Sequence, residues 1–88
     1  MKKGLLFDRE DNVGVVKEHV EPGDEVEIGG YRIIARDVID LPHKIALCDL
    51  EPGEQVIKYG SSIGYATQKI RSGEHVHVHN LDSEKMMK

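Results

Sequence analysis

The sequence has no tryptophan, one phenylalanine (Phe7), one cysteine (Cys48) and three prolines in 88 residues. With so few large rings the core must be built from Val, Ile, Leu and Ala, and β-branched side chains pack best on a pleated surface. A lone cysteine excludes an internal disulfide, and no apolar run approaches the roughly 20 residues that span a bilayer. Basic charge is short as well. Twelve Lys and Arg stand against 16 Asp and Glu, a formal charge of −4, the opposite of a phosphate-backbone binder's footprint. No nucleic acid and no membrane partner are expected. The length suits one small domain without a deep cleft of its own, so any chemistry is expected to be shared with another chain. Met1 to Phe7 carries two lysines before only three apolar residues, too few for a signal peptide, and the cytoplasm is the expected compartment.

What is present is a series of short β-rich runs broken by Gly, Pro and Asp, with no apolar recurrence at three-and-four spacing. The expected fold is all-β, with strands at Leu5–Phe7, Val13–Val20, Glu25–Ile28, Tyr31–Ala35, Ile45–Cys48, Gln55–Tyr59, Gly64–Ala66 and His75–Asn80. Gly29-Gly30 between Val26-Glu27-Ile28 and Tyr31-Arg32-Ile33 predicts a tight hairpin, because both glycines tolerate positive φ. Three segments share one pattern of aliphatic residue, two others, Gly, acid, any residue and Val: Val20 to Val26, Leu50 to Val56 and Ile70 to Val76. Their glycines are unequally spaced, which excludes a solenoid of fixed period and predicts three similar turns leading into strands. Residues 1–81 are expected to form the domain and 82–88 a polar tail or linker.

Three of the five histidines fall within Glu74-His75-Val76-His77-Val78-His79-Asn80. As a strand, this segment sets His75, His77 and His79 on one face and Val76 and Val78 toward the core. Imidazoles about 7 Å apart along a strand let two neighbours approach one ion, but hardly all three, so a two-histidine site completed from elsewhere is the reasonable geometry. His43-Lys44 places an imidazole beside an ammonium at the lip of a strand. Lys58-Tyr59-Gly60-Ser61-Ser62-Ile63-Gly64 gathers a cation, a phenol and two hydroxyls in a glycine-flanked loop that could approach an anion, although it lacks the P-loop spacing. Cys48, inside the apolar Ile45 to Leu50 stretch, reads as a small buried hydrophobe rather than a nucleophile.

Taken together, His43-Lys44-Ile45-Ala46-Leu47, Val56-Ile57-Lys58-Tyr59-Gly60, Ile63-Gly64-Tyr65-Ala66 and Gly73-Glu74-His75-Val76-His77-Val78-His79-Asn80 resemble one family. It is the small N-terminal domain of the altronate and galactarate dehydratases, also found as the small subunit of sulfolactate sulfo-lyase. The resemblance covers Asn12 to Leu81. It implies a compact all-β fold of the SAF (β-clip) type and a metal-dependent lyase assembled with a much larger catalytic subunit, with a homo-oligomer left open. It also implies a sugar acid or a sulfonated 2-hydroxy acid as substrate and a divalent metal, iron(II), as cofactor. On that footing His77 and His79 are the expected metal ligands, His43 and Lys44 the catalytic residues, and Lys58, His75 and Asn80 the substrate-binding residues. A non-catalytic module binding carbohydrate acids or assembling such a complex is the alternative.

Overall fold

The computed structural model describes residues 1–83. Nine strands run through them: β1 (Lys2–Leu5), β2 (Val13–Val16), β3 (Glu25–Ile28), β4 (Tyr31–Ile34), β5 (Lys44–Ala46), β6 (Gln55–Lys58), β7 (Ser61–Ala66), β8 (His75–Val76) and β9 (Leu81–Asp82). The described residues contain no helix, as the missing three-and-four periodicity predicts. Six strands form one sheet in the order β4-β3-β1-β2-β5-β8, and β6-β7-β9 form a second. All pairings are antiparallel except β1 with β3.

The central ribbon β2–β5 is covered on both sides, which is why all four residues of β2 are buried. Val16 and Ile45 join Val20, Val26, Ile28, Ile33 and Ile39 in one apolar cluster, under the β3–β4 hairpin. Val13, Ala46 and Val76 join Leu50, Val56, Ala66 and Ile70 in another, under the β6–β7 hairpin. Aliphatic side chains alone fill both cores, so the shortage of rings is answered by dividing the interior into two thin layers.

The three similar turns are one device used three times. In each, the first residue's carbonyl accepts from the backbone N–H of the acid three places on: Glu21 from Asp24, Glu51 from Glu54, Arg71 from Glu74. The acid's carboxylate returns the bond, accepting from the first residue's N–H at 2.9 Å every time. Gly23, Gly53 and Gly73 take φ of 93°, 87° and 92°, and their N–H groups donate to the carbonyls of buried Ala35, Ala66 and Ala46. At Gly73 the packing is tighter still, because a Cβ there would lie 2.1 Å from the Ile34 carbonyl oxygen.

Several boundaries differ from the sequence expectation. β1 begins at Lys2, because pairing with both β2 and β3 extends it toward the N-terminus, and Phe7 lies beyond it. β2 ends at Val16 rather than Val20. β8 covers only His75–Val76, and residues 78–80 form a turn. Val78 is 80% exposed, so only Val76 of the two valines reaches the core. The chain pairs with β7 through Asp82, where the tail was expected to begin; residues 84–88, the rest of that expected tail, lie outside the described residues. The Gly29-Gly30 hairpin forms as expected, with both glycines at positive φ. Cys48 is exposed rather than buried: it follows the last buried residue of the Ile45–Leu47 run, and the partial desolvation that remains, with the charges of Glu54 and Asp49, pushes its thiol pKa up.

Candidate functional site

At the β5–β8 edge the structure gathers four of the five histidines. His43 immediately precedes β5, its N–H donating to the Asp40 carbonyl at 2.8 Å and its carbonyl accepting from Val16 N–H at 3.1 Å. Its ring lies nearly parallel to those of His75 and His77, with centroids 5.0 Å away in both cases. One N–H links His75 Nε2 and His43 Nδ1 across 3.1 Å. His75 is also 5.6 Å from the ring of His77 and 5.4 Å from that of His79, so it stands at the middle of the group.

The turn after β8 makes this clustering possible. Asn80, 2% exposed, accepts through Oδ1 from His77 N–H at 3.0 Å and donates through Nδ2 to the His75 carbonyl at 2.8 Å. The N–H groups of Asn80 and Leu81 both donate to the His77 carbonyl. An extended strand would hold these imidazoles about 7 Å apart on a straight face; the Asn80-braced turn folds them inward instead. Asp37 contributes from the other side, its carboxylate accepting from His75 N–H at 2.9 Å. Nothing in the sequence marked Asp37, because it lies 38 residues away in a loop of ordinary composition.

Electrostatics follow from this crowding. His75 is held below the ordinary imidazole pKa, first by burial, then by the neighbouring imidazoles of His43, His79 and His77, with the Asp37 charge opposing. That direction favours the uncharged imidazole.

The expected site residues divide into two groups. In β5, Lys44 is paired with Val15 and Val76, and Ile45 with Gly14 and His75. Directly opposed residues project to one side and consecutive residues to opposite sides. His43, Ile45 and His75 therefore share one face of the sheet, while Lys44, Ala46 and Val76 take the other. Lys58 lies on Lys44's side, near enough that its charge adds to burial in lowering the Lys44 pKa. The structure thus brings His43 to the C-terminal histidines and Lys44 to Lys58. Asn80 spends both ends of its buried amide on the turn.

Among the described residues no group of three or more His, Cys, Asp or Glu is arranged to hold a metal ion. The cluster offers imidazole nitrogens, the right donor type for a divalent transition metal, but not a complete set.

Comparison with known proteins identifies the family of this pleated module. The model of the altronate/galactarate dehydratase SAF domain matches residues 2–84, and the chain belongs to that family. It is 38% identical over 80 residues to altronate dehydratase of Bacillus subtilis, covering 91% of this chain but 16% of that protein. It is 43% identical over 70 residues to the Escherichia coli altronate dehydratase, covering 80% of this chain and 14% of that one. Against the alpha subunit of (2R)-sulfolactate sulfo-lyase from Chromohalobacter salexigens the identity is 40%, over 92% of this chain and 94% of that subunit. The chain therefore spans about a sixth of the altronate dehydratases and nearly all of the sulfo-lyase alpha subunit, whose name implies a partner subunit.

Proposed function

We propose that this chain is the small subunit or domain of a lyase that dehydrates a sugar acid of the altronate type to a 2-keto-3-deoxy acid, together with a larger catalytic polypeptide. The observation that carries this reading is the 3.1 Å contact of His43 with His75 inside a four-imidazole cluster at an edge of the sheet. The reaction needs a proton removed from C2, beside the carboxylate. Its electron pair forms the C2=C3 bond as the C3–O bond breaks, hydroxide leaves as water once protonated, and the resulting enol takes a proton at C3 to become the ketone. Imidazoles suit both proton transfers near neutral pH.

In this reading His43 is the acid and base, and His75, uncharged and hydrogen-bonded to it, contacts substrate and passes the proton on. Asn80 acts by positioning, since its amide is spent on the backbone at residues 75 and 77. His77 and His79 would supply two imidazole ligands of a divalent ion, iron(II) by the family resemblance, with the remaining ligands coming from the companion and the substrate. When bound, such an ion supplies Lewis-acid polarisation of carboxylate and hydroxyl. The companion is the polypeptide of the same organism that matches the part of altronate dehydratase this chain does not cover.

A second reading is favoured by the match along 94% of the sulfo-lyase alpha subunit. There the same C2 proton is removed, the C3–S bond breaks with its pair leaving on sulfite, and the enol becomes the ketone. Assay of the co-purified two-chain complex on altronate, galactarate and sulfolactate tests both. Keto acid without sulfite supports dehydration, and equimolar keto acid and sulfite supports desulfonation. A complex in which His43→Ala turns over within about threefold of the parent has its acid–base chemistry elsewhere, because loss of such a group costs about 10²-fold or more.

A further inference from the structure

The face opposite the imidazoles carries a second grouping that the chemistry above leaves unused. Across β1, β2, β5 and β8 it carries the row Leu5, Val15, Lys44 and Val76, of which Val15 and Val76 are buried, Lys44 is half-buried and Leu5 is exposed. Beside that row the rings of Phe7 and Tyr59 pack at 4.4 Å between centroids, and Lys58 Nζ sits 4.9 Å from the Tyr59 ring and 5.6 Å from that of Phe7. Leu5, Phe7 and Tyr59 are 43%, 40% and 61% exposed.

Two features of this patch are costly to a free module. Among the described residues neither Lys44 nor Lys58 has a carboxylate partner, as is also true of Lys17, Arg36 and Arg71, but these two lie close enough for the Lys58 charge to lower the Lys44 pKa. Two ammonium groups, one of them half-buried, repel each other with no counter-charge in a chain that is acidic overall. Tyr59 also stands at φ 57°, the left-handed region, which costs a residue with a side chain about 1–2 kcal/mol. That backbone is held by buried Asp11, whose Oδ1 accepts from Gly60 N–H at 2.8 Å and Oδ2 from Asp8 N–H at 3.1 Å. Asp8 and Asp11 thus spend carboxylate oxygens on backbone N–H groups, while the rings of Phe7 and Tyr59 stand exposed beside the two ammonium groups.

We propose that Lys44, Lys58, Phe7 and Tyr59 form a docking surface for a carboxylate-bearing, apolar-flanked segment of the larger companion polypeptide. The proposal rests on the reading above that such a companion exists, and it places assembly and chemistry on opposite faces of one sheet. Charge complementarity selects the occupant: the unpaired cations call for carboxylates, and the exposed rings for apolar neighbours.

The test is the affinity of the purified chain for the companion polypeptide, measured calorimetrically at low and high salt. The parent is expected to bind more weakly as salt rises, Lys58→Glu to lose about tenfold or more, and Tyr59→Gly to weaken binding while keeping the fold, since glycine accepts this φ. Lys17→Glu, the same charge change on another exposed lysine, is expected to stay within about twofold. Unchanged affinity in both Lys58→Glu and Tyr59→Gly overturns the docking surface alone. Unchanged affinity with a raised KM for altronate or sulfolactate overturns it in favour of a substrate carboxylate site, and an effect confined to self-association overturns it in favour of a second copy of this chain. If the parent itself does not bind the companion, the two-chain reading and the docking surface fall together.

Discussion

His43 and His75 are 32 residues apart in the chain and 3.1 Å apart at their ring nitrogens. The contact is made because β5 and β8 pair antiparallel, bringing the start of one against the strand that ends in the histidine turn. His75 takes its place between three other rings, while Asp37 and Asn80 hold its backbone N–H and carbonyl.

Replacing either partner separates chemistry from folding. In the two-chain complex, His43→Gln and His75→Gln are each expected to lower kcat by about 10²-fold or more, with thermal stability of the isolated chain changed little. Steady-state kinetics beside thermal melts of the same preparations check this. Activity near the parent's in both variants would remove the imidazole pair from the mechanism.

Asn80→Ala strips the turn of both side-chain bonds and leaves His77 N–H and the His75 carbonyl without them. A loss of about 2 kcal/mol in urea denaturation is expected, along with altered ring-proton shifts of His75 and His77 in NMR spectra. Asn80→Asp, which keeps an acceptor for His77 N–H but loses the donor to the carbonyl, should fall between.

The three similar turns should not respond alike to one methyl group. At Gly23 nothing lies within 4 Å of an added Cβ, so Gly23→Ala is expected to cost only the left-handed backbone penalty of about 1–2 kcal/mol. At Gly73 the Ile34 carbonyl oxygen is 2.1 Å from that position, so Gly73→Ala should cost about 3 kcal/mol or more and disturb the neighbouring histidines. Equal losses from chemical denaturation would contradict the packing at the third turn.

Two histidines predict opposite pH slopes. His19 bonds Asp40 and Glu21, and those bonds raise its pKa above the ordinary 6.5. The folded state then holds the His19 proton more tightly, a contribution present in full below 6.5 and lost as pH rises through the raised folded value. His75 is displaced downward, so the unfolded state binds its proton more readily and stability falls as pH drops from 6.5 through the lowered folded value. In the metal-free chain, urea midpoints against pH should lose the alkaline decline in His19→Gln and the acid decline in His75→Gln.

Much of this was legible beforehand where the physics is local. The paired glycines at 29 and 30 dictate a hairpin because few other residues accept both φ values, and the repeated Gly-acid pattern encodes three turns whose bonds span four residues. The imidazole site was legible only in part. His75, His77 and His79 stand out by concentration, but a period of two carried past the point where Asn80 turns the chain puts Val78 in the core, whereas Val78 is exposed. Adjacency in sequence likewise joined His43 to Lys44, whereas strand alternation sends them to opposite faces.

By itself, then, the sequence determined an all-β module of aliphatic cores, its turn chemistry and the supply of imidazoles, because composition, backbone preference and contacts a few residues long decide those. Only the tertiary structure decided which histidines meet, that Asp37 backs them, and that the lysines and rings gather on the far side. Those outcomes depend on strand pairing between segments some 30 or more residues apart, set by which aliphatic faces bury against each other, and no local pattern records it.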